Sequence, residues 1–354
     1  MGERLLESFK KVINQKSEKI SMVAVNWPSI TFVTPTFNSG KILKECLDSV
    51  VSLDYPKDKI ELIVVDGGSK DNTVEIAKQY KFCRIITENT GRSEAATAIG
   101  YNEAKNDLIV NFPSDNVIPY KDWLKKMVKP LMENEDVVGS GTLRYSYIKT
   151  DKILNRYFAL FGVNDPIPYY LNKRDRITYF EEKWPLAAKA KDMGDYYLVI
   201  FNNTNTPTIG ANGFVLRRKI IQKFTKEPLK FFHIDGCVDM INFGYNKFAF
   251  VKTDIWHKTG EELSNYLKRR NRYANIYLND KSYRRYHVVD FRKDKLKLAW
   301  FVIVSLTIIE PTIQAIRGYF KIQDVAWFMH PFLSFLFIPI YTYTWIKNTL
   351  SIKK

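Results

Sequence analysis

Strand-like and helix-like segments alternate from Ser29 onward, and this alternation constrains the fold more than any other feature of the sequence. Short apolar runs (ITFV, KIELIVV, CRIIT and DLIVNF) are separated by segments with apolar residues at helical spacing (KILKECLDSVVSL, NTVEIAKQY and SEAATAIGYNEA). We expect Asn72 and Glu75 to form a capping box at the start of the second of these helices. Strands separated by helices of this length predict an α/β fold with a mainly parallel sheet flanked by helices.

Polar motifs follow three of these strands, at the edge where ligands bind in parallel sheets. They are TPTFN (34–38), DGGSKDNT (66–73) and PSDN (113–116). DGGS is neither a GxGxxG loop nor a Walker loop, so dinucleotide and P-loop chemistry are not predicted. Asp66 is suited to accept hydrogen bonds from a base or ribose, or to serve as a turn residue. Asp115 is suited to hold a divalent cation, or to cap the helix at YKDWLKKMV.

The net charge of +16 predicts an anionic partner. Residues 264–297 hold eleven basic and three acidic side chains and directly precede two apolar segments. The second segment, Val325 to Ile346, has no Asp, Glu, Lys or Arg and is long enough to cross a bilayer. The first contains Glu310 and Arg317, which leaves open whether it spans, re-enters or lies in the interface. This pattern favours an anionic membrane over nucleic acid, with a pair of buried core helices as the alternative.

The remaining features indicate compartment and domain organisation. Three widely spaced cysteines without a CxxC motif predict a reducing compartment, and the N-terminus lacks the apolar stretch of a signal peptide. We therefore expect a membrane-associated protein whose catalytic domain lies on the cytoplasmic face. The predicted parts are an amphipathic helix (1–28), a catalytic domain (29–260) with an insertion at about 144–205, a basic juxtamembrane segment (261–297) and membrane-associated helices (298–354).

The ordered motifs resemble those of the family 2 glycosyltransferases, which have the GT-A fold. Pro35 to Asn38 match the Pro-x-x-Asn turn after the first strand, and Gly91 to Gly100 match a Gly-x-x-x-Ala…Gly pattern. The Asp-x-x-Ser-x-Asp-x-Thr pattern after the second strand is matched by Asp66, Ser69, Asp71 and Thr73. The match covers residues 29–140 well and continues more loosely to about His257. The resemblance implies a nucleotide-sugar donor and a divalent metal, Mn²⁺ or Mg²⁺.

The resemblance also implies which residues bind the donor. In the family the fourth strand leads into an Asp-x-Asp motif, but Pro113 stands here in the place of the first acid. Asp115 takes the place of the second acid and is the implied metal ligand, with His257 as a possible second ligand. Asn212 and Gly213 are implied to shape the pocket for the sugar and acceptor. The implied nucleotide-binding residues are Thr34, Pro35, Thr36, Asp66, Arg92, Ser114 and Asp115.

An inverting transfer also needs a base that takes the proton of the acceptor hydroxyl. The family has an acidic pair in the region of FFHIDGCVD, which implies Asp235 as the base. Asp239 is the second candidate and His233 the third, and a helix cap is the alternative for Asp235. In the insertion, we predict that three basic residues bind the phosphate of a lipid acceptor: Lys173, Arg174 and Arg176.

The predicted function is therefore an inverting glycosyltransferase that moves a sugar from a nucleotide-sugar donor to a polyprenyl- or glycolipid-linked acceptor. One alternative is a polyprenyl-phosphate monoglycosyltransferase, whose phosphate acceptor needs less help from a base. The other is a non-catalytic membrane scaffold, which the missing acid at Pro113 would favour. A processive synthase is disfavoured, because only Arg272–Tyr273 remain of its Gln-x-x-Arg-Trp element.

Overall fold

The computed structural model describes residues 25–184, 188–258, 262–290 and 292–351. The helix predicted over residues 1–28 therefore lies, up to residue 24, outside the described residues. Residues 25–29 have no regular secondary structure and lead directly into the first strand.

A mixed sheet of ten strands forms the centre of the molecule, in the order β3-β2-β1-β4-β9-β6-β10-β8-β7, with β5 paired to β10. The strands β1 to β4 match the four predicted runs and pair in parallel, with Thr36 beside Asp66 at the ends of β1 and β2. β6 and β10 also pair in parallel, whereas β9 lies antiparallel between β4 and β6. The predicted mixed sheet is thus confirmed. The strands are β1 Ile30–Thr36, β2 Ile60–Asp66, β3 Cys83–Thr87, β4 Leu108–Asn111, β5 Asn116–Val117, β6 Val137–Tyr145, β7 Ala190–Asp192, β8 Tyr196–Ile200, β9 Phe214–Arg217 and β10 Lys247–His257.

Helices cover both faces of this sheet, as predicted, and extend the chain beyond it. Strand alternation decides which face each apolar side chain joins: Phe32 packs with the core under the first helix, and Val33 with the opposite core. The helices are α1 Leu43–Val51, α2 Thr73–Lys78, α3 Ser93–Glu103, α4 Trp123–Glu133, α5 Ile153–Phe161, α6 Pro166–Tyr170, α7 Arg218–Ile221, α8 His233–Asn242, α9 Leu263–Asn279, α10 Lys295–Thr307, α11 Ile309–Lys321 and α12 Met329–Ser351.

The predicted capping box at α2 is wrong. Asn72 precedes the helix, but its side chain makes no capping hydrogen bond. The carboxylate of Asp71 accepts instead from the Thr73 N–H at 3.1 Å and from the Gly40 N–H at 3.0 Å. One acid thereby satisfies donors from two loops, which a local capping pattern does not reveal.

A third hydrophobic core joins the insertion to the C-terminal helices. Phe161 of α5 stacks on His330 and meets the edge of Trp327, and both of these aromatic residues are fully buried. Asp324 reinforces the contact by accepting from the Tyr147 hydroxyl at 2.6 Å and pairing with Arg156 at 2.9 Å. The insertion is therefore the support on which the C-terminal helices rest.

The segment predicted as juxtamembrane packs on the α/β domain instead of standing apart from it. Three basic side chains bridge the domain and residues 280–285, in the pairs Arg92–Asp280, Arg284–Asp235 and Arg285–Asp239. Part of its positive charge is thus used internally, and exposed basic residues remain around the start of α10.

Candidate active site

The predicted nucleotide-binding residues meet at the carboxyl ends of β1, β2 and β4. Thr34, Pro35 and Thr36 are buried, and among the described residues no group hydrogen-bonds to either threonine hydroxyl. Asp66 is 2% exposed, and its carboxylate accepts from the N–H groups of Gly68 and Ser69. Asp66 thus organises its own turn, next to two hydroxyls that lack an internal partner.

Asp115 does not cap a helix, because its carboxylate pairs with a histidine from the end of β10. Its Oδ2 atom lies 3.2 Å from Nε2 of His257. Burial alone would raise the pKa of Asp115, but the charge and hydrogen bond of His257, with the charge of Arg269, hold it below its usual value. Asp115 is therefore favoured in its ionised form, beside the imidazole of His257.

Asn212 and Gly213 build the wall beside this pair. The Asn212 amide donates to the Tyr145 hydroxyl at 2.9 Å, and its oxygen lies 3.3 Å from the Asn116 amide. Gly213 has φ +76°, and a Cβ there would meet the Ile255 side chain at 2.5 Å. The glycine is therefore required by the packing of its own turn, not only by the approach of a substrate.

Ser114 and Arg92 have structural partners in this arrangement. The Ser114 hydroxyl lies 2.8 Å from that of Ser39 and ties the loop after β4 to the loop after β1. Arg92 donates to Asp280 at 2.6 Å and its guanidinium lies 5.7 Å from the centre of the Phe232 ring. The side chain of Arg92 therefore stabilises the C-terminal end of α9. Its role in nucleotide binding remains a prediction.

Glu88, after β3, is a candidate that the sequence analysis missed. The backbone N–H of Glu88 donates to the Asp66 carbonyl at 2.8 Å. The Glu88 carboxylate lies close to Gly67, since a Cβ on that glycine would be 3.2 Å from Oε1 of Glu88. One carboxylate oxygen is buried without a partner among the described residues. The only signal in the sequence is an acid just after the third strand.

Asp175 is a second residue that the sequence analysis missed, and it belongs to a buried ion pair. It is 8% exposed and pairs with the fully buried Arg176 at 2.5 Å. Burial raises the pKa of Asp175, while the charges of Arg176, His233 and His257 lower it.

Asp235 has internal partners in this structure, and its role as the base stays a prediction. Asp235 is 0% exposed, and its two carboxylate oxygens accept from Arg284 Nε at 2.8 Å and from the Tyr286 N–H at 3.0 Å. A base must reach the proton that it abstracts, and this carboxylate is enclosed. Asp239 is partly exposed but pairs with Arg285 at 2.9 Å, on the surface of α8.

His233, the third candidate, is the first residue of α8 and makes a close contact with Glu94 of α3. Glu94 Oε1 lies 2.8 Å from the imidazole Nδ1, and Oε2 accepts from the His233 backbone N–H at 3.0 Å. The two side chains are 26% and 25% exposed. No short motif reveals this pair, since the residues are 139 positions apart.

The prediction that three basic residues of the insertion bind lipid phosphate is wrong in its premise. Lys173 pairs with Asp294 at 2.5 Å, Arg174 with Glu181, and Arg176 with Asp175. Their side chains are 17%, 5% and 0% exposed. They hold the insertion together and do not form an open cationic surface.

The residues near the end of β4 fit a divalent metal for which the protein supplies only a few of the ligands. In the described part of the chain, no cluster of three or more His, Cys, Asp or Glu residues is arranged to hold a metal. Asp115 and His257 converge as two, which is compatible with a cation completed by phosphate oxygens and water.

Comparison with known proteins identifies the family of this chain, two relatives and a solved structure with a similar fold. The family model described as Glycosyl transferase family 2 matches residues 31–224, more than half of the chain. Glycosyltransferase AglE of Haloferax volcanii is 30% identical over 135 residues, which are 37% of this chain and 44% of AglE. A Methanococcus voltae protein is 28% identical over 106 residues, 28% of this chain and 33% of its own length. Its name is dolichyl N-acetyl-alpha-D-glucosaminyl phosphate 3-beta-D-2,3-diacetamido-2,3-dideoxy-beta-D-glucuronosyltransferase.

Among solved structures, the mannosyltransferase PcManGT from Pyrobaculum calidifontis, in complex with GDP-Man and Mn²⁺, is similar over 92% of this chain and 88% of its own. The TM-score is 0.52 at 14% identity, so this likeness concerns the fold. The chain spans between 21% and 54% of the length of the first curated relatives.

Proposed function

This chain belongs to glycosyltransferase family 2, and we propose that it is an inverting enzyme that transfers a sugar from a nucleotide-sugar donor to a membrane-linked acceptor. The observation that carries the proposal is the Asp115–His257 pair, which lies 3.2 Å apart at the carboxyl end of β4. This edge of the sheet is where ligands bind in α/β folds. With a glycosyltransferase identified, the hypothesis of a non-catalytic scaffold is set aside.

Asp115 and His257 would hold a divalent metal together with the donor diphosphate. Such a metal supplies charge neutralisation for the leaving diphosphate. Burial raises the pKa of Asp115, but His257 and Arg269 outweigh this effect and lower it, which favours the carboxylate form that a cation binds. The fold neighbour PcManGT was solved with Mn²⁺ and a nucleotide-sugar, which supports this assignment.

The nucleoside would lie over the ends of β1 and β2. Thr34 and Thr36 offer hydroxyls with no partner among the described residues, and Glu88 offers one such carboxylate oxygen. Unpaired buried polar atoms are costly unless a ligand or water satisfies them. Asp66 shapes the turn that brings Glu88 to the same edge of the sheet. The role of Asp66 in this turn is therefore compatible with a role in binding the nucleoside.

The C-terminal helices would place this site at a membrane. Within the part of the chain that the structure describes, Val325–Tyr343 is long and apolar enough to span, and α10 with α11, bent by 78°, would be a second such stretch if it formed one span. Large apolar side chains also face outward on α10, on α11 and in the turn before α12, among them Leu306 (57% exposed), Ile309 (65%), Phe320 (84%) and Val325 (60%). A surface of this kind is typical of membrane contact.

We infer that these helices lie in the membrane interface. A 13-residue helix such as α10 is about 20 Å long, shorter than the roughly 30 Å hydrocarbon core. α12 is longer, but Leu333 and Phe337 are buried against the insertion, and Tyr341 donates to Asp165 at 2.5 Å. A helix tied to the catalytic domain along one side is suited to lie on a bilayer. The nearby basic residues add attraction to anionic lipid: Arg292, Lys293, Lys295 and Lys297.

A lipid-linked acceptor is the substrate class that this placement favours. The name of the Methanococcus voltae relative includes a dolichyl N-acetyl-alpha-D-glucosaminyl phosphate, which is a lipid-linked sugar. The catalytic domain would then face the cytoplasm, where the nucleotide-sugar is available. The three basic residues of the insertion are paired internally, so nothing in the described residues specifically favours a bare lipid phosphate as acceptor.

The proposal is tested by nucleotide release from the purified full chain in detergent. UDP-glucose, UDP-N-acetylglucosamine and GDP-mannose are each incubated with Mn²⁺ and a membrane-lipid extract. We expect one donor to release its nucleoside diphosphate in a lipid-dependent manner, and Asp115→Asn to lower the rate by about 100-fold. The matched control is Asp122→Asn, which changes a half-exposed surface acid just before α4. This variant keeps the wild-type rate. Equal rates for Asp115→Asn and wild type would contradict the proposal.

A further inference from the structure

We propose that a groove between α5, α9 and α12 binds the hydrocarbon chain of the lipid-linked acceptor. This inference rests on the proposed function and specifies where the chain of the acceptor lies. The groove has a volume of about 430 Å³, which is within the range of small-ligand sites. It is lined by six residues: Ile153, Leu154, Glu262, Leu263, Met329 and Phe332.

The lining of the groove is apolar except for Glu262, and part of it is open to the outside. Ile153 and Phe332 are 41% and 47% exposed, whereas Leu154 is 1% exposed and belongs to the third hydrophobic core. Accessible apolar walls around a buried apolar base favour a ligand that buries hydrocarbon. A nucleotide or a free sugar would leave polar groups without partners against this surface.

Packing among the three helices keeps the groove in place. The centre of the Tyr266 ring on α9 lies 5.1 Å from the ring centre of Phe158 on α5 and 6.2 Å from that of Phe337 on α12. Tyr266 is 1% exposed and Phe337 is fully buried, so these contacts form a solid base. The groove lies where the first residues of the three helices converge: Ile153, Leu263 and Met329.

A hydrogen bond connects the groove to the candidate metal site. The indole N–H of Trp256 donates to the Asp151 carboxylate at 2.8 Å. Trp256 directly precedes His257, and Asp151 lies two residues before the groove residue Ile153. Glu262 follows His257 by five positions, so the Cα atoms of these two residues are at most about 18 Å apart. The groove is therefore close enough for one acceptor to hold its chain there and its reacting group beside the donor.

The groove continues onto an outward apolar side of α12. Phe335 (48% exposed) and Tyr343 (63% exposed) follow Phe332 by three and eleven positions, so the three side chains lie on one side of the helix. This side is part of the surface for which we infer contact with the membrane interface. A lipid chain can therefore pass from the interface into the groove along apolar side chains.

The charge at the edge of the groove suits an anionic headgroup. Lys152 precedes Ile153, and its ammonium lies 3.3 Å from the Glu262 carboxylate. These two charged side chains are 59% and 73% exposed, and pairs this exposed contribute little to stability, so the ammonium is available to a ligand. The N-termini of α5 and α9 add partial positive charge at the same edge. A lipid whose sugar is attached through a phosphate presents the matching combination of hydrocarbon and negative charge.

The first experiment locates a lipid probe on the full chain in phosphatidylcholine nanodiscs. The probe is farnesyl phosphate with a benzophenone at the end of its chain, and mass spectrometry identifies the residues that it labels on irradiation. We expect labelling around Ile153, Leu263 and Met329. Unlabelled farnesyl phosphate should compete with the probe, whereas inorganic phosphate should not.

The test variant is Ile153→Trp, which fills the groove without removing apolar surface. It should lower labelling about tenfold, because excluding about two methylene groups from the groove already has this effect. The matched control is Ile313→Trp, the same change at a 44% exposed position of α11 outside the groove lining. This control keeps the wild-type labelling.

Nucleotide release by the same variants tests the groove in the reaction. Ile153→Trp should raise the lipid concentration for half-maximal rate about tenfold, while Mn²⁺-dependent nucleotide binding and vesicle flotation stay within about twofold of wild type. Unchanged flotation separates the loss of groove space from a loss of bilayer contact. Leu263→Trp fills the groove from its α9 side and gives the same result, so the test does not depend on the folding of one variant.

The outcomes separate the two proposals. If the wild-type chain neither binds nor turns over any nucleotide-sugar, the proposed function fails, whatever the probe labels. If the wild type is active and both groove variants keep its labelling and its lipid dependence, the groove is refuted as the site of the acceptor chain. Labelling confined to the outer faces of α10 and α11, or removed by inorganic phosphate, would also overturn it, because the probe would then report bilayer contact or an anion site alone.

Discussion

Asp235 and Asp239 lie four positions apart on α8, yet the protein surrounds their carboxylates differently. Asp235 is fully enclosed and binds Arg284, whose side chain is 7% exposed. Asp239 and Arg285 form a pair that is 21% and 37% exposed. Breaking a buried ion pair from one side is strongly destabilising, whereas exposed pairs contribute little.

We therefore expect Asp235→Asn to lower the free energy of unfolding by about 3 kcal/mol. Asp239→Asn is the matched control, on the same helix and with the same chemical change, and lowers it by less than about 1 kcal/mol. Chemical denaturation of the two variants gives both values. A stable Asp235→Asn variant whose only defect is in kcat would contradict this structural role and support Asp235 as the base.

Single residues also show where sequence reasoning reaches its limit. Asp66 and Asp115 were identifiable because each follows a strand whose apolar run is evident. Glu94 was not, because its partner His233 is 139 positions away and only the packing of α3 beside α8 joins them. Asp175 lies in an insertion without any period, so nothing in the local pattern marks it.

At the scale of elements, periodicity located the strands and helices but did not show what each helix face meets. α9 reads as a basic helix next to a membrane, yet the segment that follows it is bound to the α/β domain through Arg284 and Arg285. The apolar C-terminal helices were correctly placed in the sequence. One face of these helices packs on the insertion, and the other points outward. Tertiary contacts such as that of Phe161 with Trp327 decide which residues lie on each face.

That outward face allows a test of the proposed membrane contact. Phe320 is 84% exposed on α11, and we expect Phe320→Asp combined with Leu306→Asp to lower binding to anionic vesicles at least tenfold. The two substitutions remove apolar contact with the bilayer. They also add carboxylates, which the anionic lipid surface repels. Flotation with vesicles of phosphatidylglycerol and phosphatidylcholine measures the bound fraction.

The control for this prediction is Phe243→Asp, which changes a 75% exposed aromatic residue at the end of α8. It should leave vesicle binding unchanged. Equal binding by wild type and the Phe320 and Leu306 variant would contradict an interfacial role for α10 and α11.

At the scale of the whole molecule, one shared core fixes the distance between the candidate site and the C-terminal helices. The insertion pairs with the sheet through β8 and β10, and its helix α5 packs under Trp327. Lys173 extends the connection by binding Asp294 just before α10. An acceptor lipid in the membrane would therefore meet the site in a defined orientation, without a flexible linker.

The central claim is that Asp115 and His257 hold a metal on the donor diphosphate, and calorimetry tests it most directly. UDP and GDP are titrated into the detergent-purified chain with and without Mn²⁺, for wild type, Asp115→Asn, His257→Gln and the surface control Asp122→Asn. We expect wild type and the control to bind one nucleotide in a Mn²⁺-dependent manner, and both site variants to lose that dependence. Nucleotide binding that is indifferent to Mn²⁺ in the wild type, or unchanged in Asp115→Asn, would contradict it.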